Sequence, residues 1–165
     1  MKWQGNADIR GGGQFSGRLT APLCFAGALA LQLLEAKGIQ VKAHICEIAG
    51  IRDDALDAVN PNLAAISQEG LAVVSSDAGK KMEESILNAR KNCDSVGGII
   101  ECFVTGLPAG LGDPMFDGVE NKLAQALFGI PGVKGVEFGA GFDAARMKGS
   151  EHNDPFCILD LYILL

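Results

Sequence analysis

The sequence predicts a single domain in which helices and strands alternate in layers, and three observations carry that expectation. Its 165 residues are close to the commonest size of one domain. Nearly half of them are apolar (48%) and only 21% are charged, enough to build a sizeable core and too apolar for a disordered chain. The hydrophobic spacing also switches repeatedly between a helical and a two-residue period, in the order helix, strand, helix, strand, helix, strand. No linker-like stretch divides residues 1–165.

Residues 4–14 are polar and glycine-rich, which reads as a loop. From Gly17 to Lys37 the chain reads as a helix, with Pro22 in the first turn if the helix begins near Thr20, where a missing N–H costs little. Leu19, Leu23, Phe25, Ala26, Leu29, Ala30, Leu33 and Leu34 cover almost every face of it. A helix apolar all round is expected to be buried all round, so its predicted place is the middle of the domain. Lys37 and Gly38 supply a cation and a left-handed glycine at its end.

Ile39, Val41, Ala43 and Ile45 alternate with Gln40, Lys42, His44 and Cys46, a strand with one buried face. That alternation puts His44 on the polar face, as a surface or interface residue. Residues 52–70 read as a short acidic helix and the turn Asn60-Pro61-Asn62, and Val73-Val74 as a brief strand. Ala78, Met82, Ile86 and Ala89 mark an amphipathic helix with a charged opposite face. Residues 95–104 read as a second long strand, Leu107 to Gly112 as a turn, residues 116–127 as another amphipathic helix, and Val133 to Phe138 as a third strand. Short strands ending in glycine leave parallel and antiparallel pairing open. Cys157 to Leu165 is apolar except for Asp160, a greasy tail that must pair into a sheet or be an unnatural terminus.

Composition excludes several classes. The formal charge of −6 argues against a broad nucleic-acid surface, which needs clustered Lys and Arg. No uninterrupted run of about 18 apolar residues occurs, since Leu19–Leu34 is broken by Thr20, Pro22, Gly27 and Gln32. A membrane span is therefore not expected. The first residues lack the apolar core of a secretory signal. Five cysteines at 24, 46, 93, 102 and 157 show neither metal nor disulfide spacing, so reduced thiols and no metal site are expected. Glycine, at 22 residues, is about twice its ordinary share of roughly 7%.

The densest glycine cluster, Gly11-Gly12-Gly13-Gln14-Phe15-Ser16-Gly17-Arg18, runs straight into the apolar helix. Loop amides, a helix N-terminus, a hydroxyl and the arginines Arg10 and Arg18 suit an anion. The plainer reading is a glycine-rich helix start with solvated arginines. As a Walker loop the stretch fails, because Arg18-Leu19 stands where Lys and Ser or Thr are needed; as a dinucleotide fingerprint its glycines are one residue out. Gly139-Ala140-Gly141-Phe142-Asp143-Ala144 does match that fingerprint, yet leaves no room for a closing βαβ unit. His44 and His152 complete no catalytic or metal pattern.

The blocks Asp8 to Pro22, Asp94 to Gly98, Gly106 to Asp117, Ile130 to Gly139 and Gly149 to Asp154 resemble, in order and spacing, the central part of the chorismate synthases, over roughly residues 2–156. The resemblance implies an α+β fold, a sandwich of core helices between antiparallel sheets, of which residues 1–165 form part, with 157–165 a divergent apolar tail. It implies a lyase of aromatic amino acid biosynthesis in the shikimate pathway. That enzyme removes phosphate from 5-enolpyruvylshikimate 3-phosphate by 1,4-anti elimination, with loss of the C6 proton. Reduced FMN is the implied cofactor, with NADPH or a flavin reductase as electron source, and the implied setting is a cytoplasmic homotetramer that engages neither nucleic acid nor membrane.

Carried over residue by residue, Gln14, Phe15 and Ser16 fall on a flavin-contacting tripeptide that is Arg-Ser-Ser in many members, and Pro131 and Gly132 on a second flavin-proximal pair, often Asn-Ala. Arg18 matches the arginine facing the substrate's anionic groups, with Arg10 beside it in the same block. The family's two catalytic histidines have no counterpart here, and neither His44 nor His152 takes their place, so no catalytic residue is assigned and little or no turnover by these residues alone is expected. The rival reading is a non-catalytic remnant of the fold that binds flavin or anions, or only oligomerises.

Overall fold

The computed structural model describes residues 4–58 and 60–153, together with the backbone of 157–159 and 162–164. The chain divides into two compact units, Ala21–Ala109, and Met1–Thr20 with Gly110–Leu165.

In the Ala21–Ala109 unit, α1 (Thr20–Glu35) is followed by β1 (Gln40–Ile48), β2 (Ile51–Arg52), α2 (Ser76–Lys91) and β3 (Gly98–Thr105). The strands form an antiparallel sheet in the order β2-β1-β3, which settles the pairing the sequence left open. Ala49 and Gly50, both at positive φ (53° and 81°), make the two-residue turn between β1 and β2, because left-handed residues match the twist of a tight hairpin. A bulge between Ile45 and Glu47 breaks strict alternation along β1. Ile45 and Ile48 consequently both pack, with Ile51 and Leu71, against the buried cluster Val73, Ala78 and Met82. Met82 is fully buried, the central knob of the amphipathic stripe of α2. Ser75 caps that helix, its hydroxyl accepting the Ala78 N–H (3.5 Å), and Arg90 and Lys91 close it on the side favoured by its dipole.

Residues 53–75 are where the structure departs from the sequence reading. Among the described residues there the expected acidic helix does not form, and only a short 3₁₀ turn, Leu63–Ala65, does. Val73-Val74 is not a strand but part of a segment stitched to the sheet. The Ala72 carbonyl accepts the Ile45 N–H (2.7 Å), and the Asp53 carboxylate accepts the Val74 and Ser75 N–H groups (2.6 and 2.8 Å). Asp and Asn offer the backbone such alternatives to helix, which explains the misreading.

His44 is also corrected. It is 2% exposed, enclosed between Asp53 and Glu101 and stacked on Phe103 with ring centroids 6.2 Å apart, rather than lying on a solvated face.

The expected burial of α1 is overturned as well. None of its sixteen residues is buried, and Leu23, Phe25 and Leu33 are more than half exposed. Its apolar surface finds no cover among the described residues. Gly17–Glu35 is also helical throughout and, by length and composition alone, long and apolar enough to cross a membrane. The interruptions that argued otherwise, Thr20, Pro22, Gly27 and Gln32, do not break the helix.

In the second unit, the glycine loop folds as a kinked 3₁₀ segment, Arg10–Phe15, followed by a 3₁₀ turn, Gly17–Leu19. The later elements are α3 (Val119–Leu127), a 3₁₀ segment Gly141–Arg146, β4 (Cys157–Leu159) and β5 (Tyr162–Leu164). The strand expected over 133–138 does not form, so the fingerprint match at 139–144 lacks its strand as well as its helix. β4 and β5 pair antiparallel with each other, while the side chains of the tail lie outside the described residues.

Burial by itself would push the Asp53 carboxyl up, but the N–H groups of Val74, Ser75 and Asp54 and the His44 ring outweigh it and hold the group below its ordinary value of 3.8. A carboxyl depressed by folding contributes stability that is complete above the unfolded value and is lost as pH falls through the folded one. Asp53→Asn, which cannot accept from both amides, should cost about 3 kcal/mol near neutrality. As pH falls below the ordinary value of 3.8 that difference should shrink, as urea titrations at neutral and at acid pH would show.

Candidate functional site

The glycine loop is built by backbone constraint. Gly11, Gly12 and Gly13 all have positive φ (60°, 85° and 53°), a region L side chains rarely enter. A Cβ on Gly13 would collide with the Asp8 carbonyl, and one on Gly11 would lie 2.7 Å from Arg18 Nη1. The loop is thus wound tightly enough to bring the Arg18 guanidinium over the Gly11 backbone. Ser16 fixes the next turn, its Oγ accepting the Arg18 N–H at 3.3 Å, and Thr20 Oγ1 donates to the Gly17 carbonyl at 2.8 Å.

The two arginines part ways. Arg10 is committed to Asp8, with Nη2 to Oδ2 at 2.7 Å and Nε to Oδ1 at 2.9 Å. That contact lowers the Asp8 carboxyl and raises the guanidinium, and its exposure makes the pair a weak contributor to stability. Arg18 makes no ion pair among the described residues, so its charge remains available to an anion. Gln14 and Phe15 are exposed, Phe15 by 73%; Ser16 is half-buried.

Pro131 and Gly132 form a separate exposed turn. The Val133 N–H donates to the Ile130 carbonyl (3.3 Å) and Gly132 has φ 94°, as a turn with Pro at its second and Gly at its third position requires. Among the described residues no hydrogen bond joins this turn to the glycine loop. The structure therefore brings Ser16 and Arg18 together around the glycines, sets Arg10 aside on Asp8, and leaves Pro131 and Gly132 as a turn of their own.

No group of three or more His, Cys, Asp or Glu that could hold a metal occurs among the described residues. Cys24, Cys46, Cys93 and Cys102 are free; burial pushes the Cys46 and Cys102 thiols up, away from nucleophilic use. His152 lies on an exposed turn, its N–H donating to the Lys148 carbonyl at 2.9 Å. The feature sequence reasoning missed is the His44–Asp53–Glu101 cluster. The two-residue alternation placed His44 outward, and only the direct cross-strand register of His44 with Glu101 reveals the pairing.

An α+β protein with an antiparallel sheet and a cationic glycine loop leading into an apolar helix is the class these elements define. Comparison with known proteins makes it specific. The chorismate synthase family model matches residues 1–162, and the chain belongs to that family. It is 47% identical over 168 residues to a chorismate synthase of Korarchaeum cryptofilum, across 97% of this chain and 44% of that protein. It is 47% identical over 158 residues to one of Dehalococcoides mccartyi, across 96% of this chain and 43% of that one. A crystal structure of chorismate synthase superposes with a TM-score of 0.77 and 28% identity, over 86% of this chain and 46% of the other. The chain thus spans less than half the length of these relatives.

Gly13→Ala should destabilise the loop by about 2 kcal/mol, from positive φ and the Asp8 collision together. Hydrogen exchange should show this as faster exchange of the amides of residues 10–18, with the amides of α2 unchanged.

Proposed function

We infer that these residues supply part of the reduced-flavin and substrate-anion pocket of a chorismate synthase, within that family's sandwich of core helices between antiparallel sheets. The observation that carries the reading is the Arg18 guanidinium, without an ion pair among the described residues and drawn over the Gly11 backbone by a loop wound through three left-handed glycines. A phosphorylated dicarboxylate such as 5-enolpyruvylshikimate 3-phosphate needs such a cation to bind and to stabilise the departing phosphate. This also accounts for a net-acidic chain acting on an anion, because the field that matters is local.

The residues present fit FMN in the same limited sense. The loop of Gln14, Phe15 and Ser16 offers backbone and hydroxyl hydrogen bonds beside left-handed glycines that leave room for close approach, and Pro131 and Gly132 offer a second exposed turn. Reduced FMN held by these residues would supply the electron density that eases cleavage of the substrate's carbon–oxygen bond. Arg18 binds and orients the anionic groups, and Ser16 holds the Arg18 backbone in place. Arg10, occupied by Asp8, is the weaker candidate for direct contact.

The family's core-helix position accounts for α1: an all-round apolar helix suits the inside of a sandwich as well as it suits a bilayer, and the superposition with a chorismate synthase supports the former. A cytoplasmic homo-oligomer follows from the same family reading. A binding module without catalysis is the second reading, and a specific observation favours it for these residues by themselves. The anion-suited groups lie within the chain, whereas His44 is enclosed by two carboxylates and His152 sits on an exposed turn, so neither is placed as the acid or base.

Titration with reduced FMN, followed by 5-enolpyruvylshikimate 3-phosphate, tests the assignment. Arg18→Ala should weaken substrate binding by about tenfold or more and flavin binding far less, while Arg10→Ala should change either by less than about threefold. Equal loss of both ligands on removing Arg18 would contradict its assignment to the substrate.

A further inference from the structure

Among the described residues β3 pairs with β1 alone, and the backbone shows which of its groups the open edge presents. Ile45 stands opposite Ile100, but its N–H goes to the Ala72 carbonyl and so is not turned to β3. The Gly97 carbonyl, in contrast, accepts the Ala49 N–H and faces the β1 side. Along an antiparallel pair, residues alternate between turning both backbone groups to the neighbour and turning both away. Ile99, Glu101, Phe103 and Thr105 therefore face β1. Gly98, Ile100, Cys102 and Val104 direct their N–H and C=O groups to the open side.

The side chains keep the same alternation. Ile100, Cys102 and Val104 share one face of the sheet and are exposed, Ile100 by 66% and Val104 by 38%. Beside Ile100 a groove of about 490 Å³, lined also by Ile45, Ile48, Ile86 and Ala89, opens between α2 and the sheet. Nothing guards the edge. Exposed strands ordinarily carry a lysine, a proline or a bulge that keeps other strands off. Gly98–Thr105 has neither lysine nor proline, and the bulge of this pair lies on β1. Its one charged side chain, Glu101, is turned to the His44 ring, Oε2 to Nε2 at 2.8 Å.

We propose that this edge is an interface between two copies of the chain, their β3 strands joined antiparallel about a twofold axis at Cys102. Self-complementarity selects that occupant and that register. A ladder forms only where outward-turned residues meet outward-turned residues. An axis at Glu101 would set two carboxylates directly opposite each other, an unfavourable pairing. An axis at Phe103 would carry Ile100 past the end of the strand, against Gly106. With Cys102 at the axis, Ile100 meets the partner's Val104, Glu101 faces the partner's Phe103, and no like charges oppose. The partner's Val104 then stands beside Ile100 at the mouth of the groove, and the isologous contact closes on itself.

The inference is independent of the Arg18 pocket, since it concerns only the Ala21–Ala109 unit. Sedimentation and amide hydrogen exchange of the chain, followed over a dilution series, test it. The account predicts a dimer in which the Ile100, Cys102 and Val104 amides are protected by about tenfold or more and lose that protection on dilution. The Glu101 and Phe103 amides, bonded to β1, should stay slow throughout. Cys102→Lys, which sets two cations at the axis, should give a monomer with fast exchange at Ile100 and Val104, while slow exchange at Glu101 and Phe103 shows that the sheet is intact. Protection of the outward amides that does not change with dilution would overturn the proposal, because another part of the same chain would then cover the edge. Association that leaves those amides fast would overturn it too, placing the contact elsewhere, as would a chain that stays monomeric at every concentration.

Discussion

The Asp53 carboxylate is the point at which the Ala21–Ala109 unit is tied together. It directly follows the β1–β2 hairpin, faces the β1 histidine and accepts the two amides that lead into α2. A buried anion is costly unless every lone pair has a partner, and here the partners come from three different parts of the chain. The apolar contacts of Met82, Val73 and Ala78 fill the space beside it, but they are non-directional and would tolerate sliding. The carboxylate fixes where α2 begins, and with it which face of α2 meets the sheet.

The second constraint is unmet within the described residues. α1 exposes leucines and phenylalanine on every side, a surface that water disfavours. The family membership gives this a physical sense, because the relatives are more than twice as long. An all-round apolar helix keeps its composition whichever elements lie against it. The same composition satisfies a simple test for a membrane span, so apolarity by itself does not separate a core helix from a lipid-facing one.

Much of the architecture was legible because it is written in local periodicity. The limits of α1, with Pro22 in its first turn and Gly38 after its end, the stripe of α2 around Met82, and the long strands β1 and β3 all follow from spacing and punctuation. What failed is long-range. The strand read over 133–138 has the right residues but gains no pairing partner. The helix read within 52–70 lost to hydrogen bonds that residues 53–75 make elsewhere, and the outward placement of His44 assumed a solvent that Asp53, Glu101 and Phe103 exclude. At the loop, the tight winding that the glycine cluster implied is observed, with Gly11, Gly12 and Gly13 all at positive φ, while the commitment of Arg10 to Asp8 was not legible, since both arginines were counted as free charge.

Membership of the chorismate synthase family and the loop that positions Arg18 underlie the proposal that these residues hold part of a pocket, and neither histidine, His44 or His152, is placed in it to move a proton. An anaerobic turnover assay tests that most directly, mixing the purified chain with chemically reduced FMN and 5-enolpyruvylshikimate 3-phosphate and following chorismate by absorbance. The account predicts no product above the enzyme-free control. Sustained chorismate formation would contradict it, and would mean that the proton is taken by a residue of these 165 to which no such role is given.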